Sequence, residues 1–404
     1  MAFQMPVYIL WALTSFFDFK FKERFKANFN KETRTYIFLL FAFIILHFFS
    51  FIISNDMGNA VKVSSPSLSI IVLPTIFLFA NKNYREKYDI ILLAFVIGNI
   101  SALFICLINA FYQSTNILNG EILFQSSLIK DYSFFESFKI GKNHFSYLNF
   151  SSFKHPSYFA MYTVFSLGII LYLFKNNKVR KSITLILMSL MVVGIFLISS
   201  RAGIASVLLF IALTSYLFFK RKKRFKLKFL LTIFSLVVVS MLIMKITRIE
   251  KSFHILEDAH DKETRLELWD VSLQLSKEYF WIGAGMGDIE KVRQEKYNEV
   301  GMSQAAVHNL NSHNQFFETL LKGGIVFLIV LILLLLFPFI QSLKDKNYLL
   351  SLFIILLGFN FLLESMLERF QGVFFIFFFY CLFVIIQQSA NRKLKTSLSQ
   401  SHET

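Results

Sequence analysis

The sequence is poor in charged residues for its length. Of 404 residues only 17% are charged, whereas 55% are hydrophobic and 17% aromatic, and Phe alone occurs 52 times. A soluble chain normally carries about 25% charged residues. Apolar runs recur that are long enough to cross a hydrocarbon core of about 30 Å. The scarcity of charge therefore excludes a soluble globular protein and indicates a polytopic membrane protein.

Cysteine is also scarce. Cys106 and Cys381 both fall inside apolar runs, which predicts packing roles and argues against a disulfide framework or a cysteine metal site. A cleavable signal peptide is not evident either, because the apolar segment 7–17 is short and no basic region precedes it. We therefore expect residues 1–34 to form a cytoplasmic or interfacial N-terminal segment.

Ten apolar segments are predicted to cross the membrane as helices, because unpaired backbone groups are not tolerated in lipid. They are 35–54, 64–80, 88–112, 156–174, 182–199, 203–219, 227–244, 313–340, 348–363 and 371–388. The predicted fold class is an all-α polytopic membrane protein with about ten transmembrane helices. Seven of these helices fall within 35–244 and three within 313–388.

Short basic segments connect the predicted spans on alternate sides, and "KRKKRFKLK" at 220–228 is the most basic of them. The positive-inside rule places these connections in the cytoplasm, together with both termini and the tail 389–404. The larger loops, 113–155 and 245–312, are then periplasmic. The basic run and the net charge of +16 fit an anchor near anionic lipid better than nucleic-acid binding.

The loop 245–312 is predicted to contain an amphipathic helix that lies on or near the membrane surface. Leu266, Trp269, Leu273 and Phe280 recur there at helical spacing. The glycine-rich stretch "GAGMGD" follows this helix. No buried strand precedes it, so the sequence does not favour a nucleotide-binding loop.

Polar residues that could carry chemistry fall at span ends on the predicted periplasmic side. They are Arg201 in a short turn, Arg265 at the start of the amphipathic helix, His155, His313 and Asn314 at the starts of spans, and Glu364, Glu368 and Arg369 in the last turn. Each also has a purely structural interpretation, such as a snorkelling arginine, a solvated helix residue or an interfacial histidine. Ser312 and Gln315 have the spacing of a capping box, which predicts a capped helix start.

The chemistry of these residues suits a phosphorylated ligand. A helix N-terminus favours phosphate and disfavours protonated histidine, so His313 would be able to accept a proton. Arginines hold a diphosphate through charge-assisted hydrogen bonds. Metal binding is the rival use of His254, His260, His308 and His313. None is paired at i, i+4 and no Cys is near, so we expect no metal.

Four stretches resemble the O-antigen ligase and polymerase superfamily in their order and predicted side. They are "SSRAG" at 199–203, "TRLELW" with "YFWIGAGMG" within 264–287, "HNQFFETLLKGGIVF" at 313–327, and "KHPSYFAMY", which resembles a segment opening an earlier span. Together they extend over roughly residues 140–375. Members of this superfamily commonly have about twelve spans, whereas ten are predicted here.

The resemblance implies a membrane glycosyltransferase that needs neither metal nor cofactor. Such enzymes take a glycan from a polyprenyl (undecaprenyl) diphosphate carrier at the periplasmic face of the bacterial inner membrane and join it to an acceptor hydroxyl. By resemblance, Arg201 and Arg265 would bind the diphosphate, His313 would activate the acceptor and Asn314 would position His313. Among the other residues at the span ends, His155, Glu364 and Arg369 are accessory candidates.

Several functions remain open at this point. The leading one is an O-antigen ligase that transfers finished glycan to a lipid A-core acceptor. A polymerase that extends the carrier-linked glycan, or a transferase with a protein serine as acceptor, would use the same chemistry. A polysaccharide transporter or flippase usually has ionisable residues deep in several spans. Only Glu318 and Lys322 lie clearly inside one here, so transport and a purely structural role are disfavoured.

Overall fold

The structure, a computed structural model, describes residues 20–80, 87–118, 121–219 and 265–387. In chain order its helices are α1 (Phe21–Asn28), α2 (Arg34–Ile52), α3 (Met57–Ser64), α4 (Ser69–Leu78), α5 (Tyr88–Ser114), α6 (Phe134–Lys139), α7 (Tyr147–Phe150), α8 (Pro156–Lys175), α9 (Lys181–Ile198), α10 (Arg201–Phe219), α11 (Arg265–Glu278), α12 (Ile289–Glu299), α13 (Ser303–Val307), α14 (Gln315–Lys344), α15 (Tyr348–Leu363) and α16 (Phe370–Cys381). A 3₁₀ turn joins α3 to α4, another precedes α16, and a π-helical segment, Leu382–Gln387, extends α16.

The all-α polytopic fold predicted from the apolar runs is confirmed. Six helices of the described residues are long and apolar enough to cross a membrane, namely α2, the combined α3–α4 segment, α5, α8, α9 and α14. Shorter apolar helices occur at Ala202–Ser215, Tyr348–Leu363 and Phe370–Ile386. These helices coincide with every predicted span except 227–244, which lies outside the described residues. The hairpin formed by β1 (Thr115–Leu118) and β2 (Glu121–Phe124) is the only sheet in the described ranges.

The chain divides into two compact units, of which one comprises residues 89–262. Helix α8 is the most buried of its described membrane-spanning helices, and α9 and α10 pack against it. The close approach of α10 depends on Gly203, where a Cβ atom would lie 2.4 Å from the Cβ atom of Ala160 on α8. The short turn that leads into Arg201 is therefore held against the helix that begins just after His155.

The other unit comprises residues 1–88 and 263–404 and contains the described part of the second large loop. This part has a hydrophobic core of its own, built from α11, α12, α13 and one residue of α14. Its buried members are Leu268, Val271, Leu275, Ile289, Tyr297, Ala305, Ala306 and Leu321. Because Leu321 belongs to the first part of α14, the loop is packed directly onto the start of a helix that continues into the membrane.

The predicted helix in this loop is confirmed as α11, but its packing face differs from the apolar face that the spacing indicates. Leu266 and Leu273 are 73% and 52% exposed, whereas Leu268, Val271 and Leu275 are buried. Both faces carry apolar residues, so periodicity alone could not identify the one that packs on protein. The exposed apolar face remains available to lipid.

Helix α14 is broken at Gly324, whose φ of 76° lies in the left-handed region. A side chain is excluded there, because a Cβ atom would lie 2.2 Å from the carbonyl oxygen of Trp281. Backbone groups freed by the break bond to the glycine-rich turn instead. Ala284 N donates to Leu321 O at 2.7 Å, and Ile325 N donates to Phe280 O at 2.7 Å. The "GAGMGD" stretch is thus a backbone partner of the broken helix.

The break turns the first part of α14 across the ends of its neighbours. Ser342 Oγ and Ser351 Oγ lie 2.7 Å apart where α14 and α15 meet. From there the path back along α14 to Asn314 is about 42 Å, whereas the path along α15 to Glu364 is about 20 Å. Since residues 313 and 364 are in contact, the segment 315–323 cannot continue straight outward. We call this segment the crossing helix.

Candidate functional site

His313 lies in a tight bend immediately before the crossing helix. Its φ is 44°, and its backbone N donates to Asn311 Oδ1 at 3.0 Å. The predicted capping box of Ser312 and Gln315 is wrong. Asn314 is the N-cap residue instead, and its Oδ1 accepts from Phe316 N at 2.9 Å. Asn314, the residue after His313, therefore caps the crossing helix, and its side chain hydrogen-bonds to backbone N–H groups and not to the His313 ring.

Glu364 is the side chain that contacts the His313 ring. Its Oε1 lies 3.0 Å from His313 Nδ1 and also accepts from Ser365 N at 3.2 Å. The carboxylate is 9% exposed and the imidazole 31% exposed. Because Nδ1 faces the carboxylate, the tautomer that donates from Nδ1 leaves a lone pair on Nε2. No described residue bonds Nε2, so this nitrogen is open to a ligand.

A buried ionic network holds the bend that carries His313. Glu318 accepts from Ser312 N at 2.9 Å and from Ser312 Oγ at 2.8 Å. Arg293 of α12 forms a close ion pair with the same carboxylate, and both side chains are almost completely buried. Trp269 Nε1 of α11 donates to Ser312 O at 3.0 Å. Two helices of the large loop therefore fix the residue next to His313.

The charge of Arg293 is set by this pairing. Burial of its guanidinium is the largest single influence and works against the charged form, but the charges of Glu318 and Glu368, the nearby Tyr297 and the hydrogen bond to Glu318 together outweigh it and raise the pKa of Arg293. Buried ion pairs gain little net stability, yet removing one partner leaves an uncompensated charge. The pair joins α12 to the crossing helix.

The crossing helix is also tied to the turn between α15 and α16. Leu367 N donates to Gln315 Oε1 at 2.6 Å, and Lys322 pairs with Glu368. Ser50 Oγ of α2 donates to Lys322 O at 2.6 Å. The two ionisable residues inside the predicted eighth span, Glu318 and Lys322, are therefore both paired.

A small cavity adjoins the crossing helix. Its lining includes Gln315, Thr319, Lys322 and Glu368 together with His47 of α2. The Nε2 atom of His47 is buried and has no hydrogen-bond partner among the described residues. No sequence pattern singles out His47, since it lies in an otherwise apolar run.

The remaining predicted site residues occupy different places. Arg265 is the first residue of α11 and is exposed, as is Arg369 in the turn after Glu368. Arg201 begins α10 and His155 caps α8, both within the other unit. The side chain of Arg201 lies outside the described part of the chain. Among the predicted residues, the structure therefore brings together His313, Asn314 and Glu364.

Arg293 is the main site residue that sequence reasoning missed. It sits in "IEKVRQEKYNE", where charged residues dominate and one arginine does not stand out. A usable signal was present, because Ile289, Arg293 and Tyr297 recur every four residues and so share one face of α12. All three are buried. An arginine on the buried face of a helix requires a carboxylate partner.

The arrangement suits proton transfer at the edge of a membrane. A carboxylate orients the imidazole, the second ring nitrogen is free, and the start of the crossing helix supplies a partial positive charge nearby. Among the described residues there is no cluster of three His, Cys, Asp or Glu side chains that could hold a metal. The bend places an imidazole whose type can serve as a general base beside an anion-attracting helix end.

Comparison with known proteins points to one family. No curated protein matches the sequence. Residues 183–332 match the family described as O-antigen ligase. The matched region includes the turn before α10, the whole of α11, the bend at His313 and the break in α14. Residues 183–332 are therefore similar to the O-antigen ligase family, and this likeness supports the resemblance to the O-antigen ligase and polymerase superfamily.

Proposed function

We propose that the protein is an O-antigen ligase-type glycosyltransferase. It moves a glycan from a polyprenyl (undecaprenyl) diphosphate carrier to a hydroxyl of a lipid A-core acceptor, at the periplasmic face of the bacterial inner membrane. The observation that carries the proposal is the contact of 3.0 Å between His313 Nδ1 and Glu364 Oε1 at the head of the crossing helix. This contact leaves the other imidazole nitrogen free to accept the proton of an acceptor hydroxyl, a step that the resemblance to O-antigen ligases implies.

The reaction is a displacement at the anomeric carbon of the donor glycan. The acceptor oxygen forms a new bond to this carbon, and the bond between the carbon and the diphosphate oxygen breaks. The polyprenyl diphosphate leaves with the electron pair, and His313 Nε2 takes the proton of the acceptor hydroxyl. Glu364 is a positioning residue in this scheme, because it orients the imidazole and stabilises its protonated form.

The diphosphate is the leaving group, and its charge must be met by cations. We assign this role to Arg201 and Arg265, on the basis of their places in the family pattern. Arg265 is exposed at the start of α11, and the same helix bonds to the His313 bend through Trp269. A guanidinium is suited to this task, since it can bind phosphate oxygens through two parallel hydrogen bonds.

Arg201→Ala and Arg265→Ala are each expected to lose most transfer while expression and folding persist. Lysine should restore transfer only in part, because it keeps the charge but lacks the planar donor pair. Initial rates of purified variants provide the measurement. Lys277→Ala is the matched control for Arg265, since Lys277 is exposed near the other end of α11. Wild-type rates in both alanine variants would refute the diphosphate assignment.

The acceptor decides between ligase and polymerase, because both use the same donor chemistry. Purified protein is supplied with polyprenyl-diphosphate glycan and either lipid A-core or a second carrier-linked glycan. We expect lipid A-core to gain sugar, and elongation of carrier-linked glycan alone would make the protein a polymerase. If neither acceptor gains sugar and the donor remains intact, the result contradicts both the ligase and the polymerase assignment. EDTA is included because the proposed reaction is independent of metal.

The topology is a separate part of the proposal. Residues 245–312 face the periplasm and 220–228 the cytoplasm, as the alternation of basic connections requires. A cysteine introduced at the exposed Asn298 should react with an impermeant thiol reagent in cells whose inner membrane is intact. Native Cys106 and Cys381 are buried, so the background is low. Labelling only after the inner membrane is broken would show that residues 245–312 face the cytoplasm and that the proposed orientation is wrong.

A further inference from the structure

The turn between α11 and α12 presents apolar side chains beside the break in α14. Trp281 is 76% exposed, Ile282 57% and Phe280 37%. Large apolar side chains grouped on a surface mark an interaction site more often than scattered ones do. We call residues 280–282 the apolar tip of the loop.

The backbone fixes the apolar tip against the membrane-spanning helix. Phe280 O accepts from Ile325 N at 2.7 Å. Trp281 O lies where a side chain of Gly324 would otherwise extend. These contacts hold the tip against α14 at the break, so the tip and the break lie at the same depth in the bilayer.

The position of the break along α14 can be estimated from helix geometry. From Gly324 to Lys344 the helix is about 30 Å long, which equals the thickness of a hydrocarbon core. Lys344 and the residues after it are polar and lie at one membrane boundary. The break therefore lies at the opposite boundary, and the apolar tip lies there with it.

The lipid-facing surface of α14 continues to this point. Val326, Ile329, Leu333 and Leu336 are 53%, 47%, 38% and 46% exposed. They belong to a membrane-spanning segment, so their exposed surface faces lipid. Val326 is two residues from the break and one residue from Ile325, which bonds to the tip. The exposed surface of the tip is thus an extension of a surface already in contact with acyl chains.

We propose that residues 280–282 insert into the edge of the hydrocarbon layer and seat the large loop on bilayer lipid. Tryptophan suits this place, since its ring is apolar and its N–H finds polar partners at the boundary. The partner is the acyl-chain region of ordinary membrane lipid. The inference does not rest on the proposed glycan transfer, and its test uses no enzymatic readout.

Single-tryptophan variants provide a direct measurement, because the sequence contains three tryptophans. Trp11→Phe with Trp269→Phe leaves Trp281, and Trp11→Phe with Trp281→Phe leaves Trp269. Each protein is reconstituted into phosphatidylcholine vesicles brominated at carbons 6 and 7 or at carbons 11 and 12. Trp281 should lose more than half of its emission to the shallow bromines, less to the deep ones, and little to aqueous iodide.

Trp269 is the matched control, since it lies on the same loop but its Nε1 bonds to Ser312 O. Its emission should respond weakly to brominated lipid. The proposal is overturned if iodide quenches Trp281 and brominated lipid does not, which places the tip in water. It is equally overturned if neither quenches Trp281, which means that protein covers the tip.

A second measurement avoids dependence on the Trp269 substitution. Ile282→Cys labelled with the environment-sensitive fluorophore NBD should emit at the short wavelengths typical of an apolar medium. Val307→Cys is its control, because Val307 is 74% exposed on α13 of the same loop. Equal, water-like emission from both labelled sites would overturn the proposal.

Discussion

Replacing His313 with alanine is expected to slow glycan transfer by about 10²- to 10⁴-fold, the range that a positioned general base supplies. Donor binding should be largely kept, because the diphosphate is assigned to the arginines. His313→Gln should also be poor, since an amide can hydrogen-bond to the acceptor hydroxyl but cannot take its proton. The loss should therefore appear in the rate constant of transfer.

The measurement compares transfer rate with donor affinity for wild type and variants, with and without EDTA. His308→Ala is the matched control, because His308 is an exposed histidine of the same loop. Loss of rate in the His308 variant but not in the His313 variant would show that His313 is not the general base and would point to His308 instead. Inhibition by EDTA that a divalent cation reverses would contradict the metal-independent mechanism.

The contact with Glu364 gives the same experiment a second readout. Glu364→Ala should slow transfer less than His313→Ala, because an imidazole without its orienting carboxylate can still accept a proton. The double variant should be no slower than His313→Ala alone, since residues that act as a unit are not additive. Additive losses would show that Glu364 acts independently of the histidine.

Replacing Arg293 with methionine is expected to lower the free energy of unfolding by about 3–5 kcal/mol, the typical effect of leaving one member of a buried ion pair unpaired. The uncompensated charge is that of Glu318, which also holds Ser312 beside His313. Transfer should therefore fall together with stability. Thermal unfolding of the purified protein in detergent, read against transfer rate, provides the measurement.

Two controls make this prediction specific. Lys291→Met removes another paired cation of the same helix, but its pair with Glu295 is largely exposed, and such pairs contribute little. Arg293→Met combined with Glu318→Gln removes both charges and should unfold at a higher temperature than Arg293→Met alone. If Arg293→Met and Lys291→Met unfold at the same temperature, the buried pair does not hold the loop.

The sequence predicted the membrane fold well, because span-length apolar runs leave few alternatives in lipid. It did not predict the break at Gly324. The apolar run continues through Ile325 and Val326, so hydropathy indicates one continuous helix there. The break depends on the left-handed conformation of a single glycine, Gly324. The backbone groups that it frees pair with residues some forty positions earlier in the chain.

The site was predicted residue by residue but not as an arrangement. His313 and Glu364 were both candidates, yet their contact joins positions 51 residues apart. No local pattern encodes such a pairing. The capping-box prediction failed for a related reason, since the Ser312 hydroxyl bonds to Glu318 instead of the first backbone N–H groups. Tertiary partners, which spacing does not report, decided both outcomes.

The pairing of the broken helix with the glycine-rich turn has a consequence for biosynthesis. Residues 280–285 leave the ribosome before residues 321–325, by about 2 to 8 s at ordinary elongation rates. The turn has therefore been synthesised when α14 emerges, and its carbonyl and N–H groups can pair with the backbone at Gly324. Without the turn, Leu321 O and Ile325 N would lack these backbone partners at the membrane boundary. The order of the two segments along the chain thus makes the partner of the broken helix available before the helix needs it.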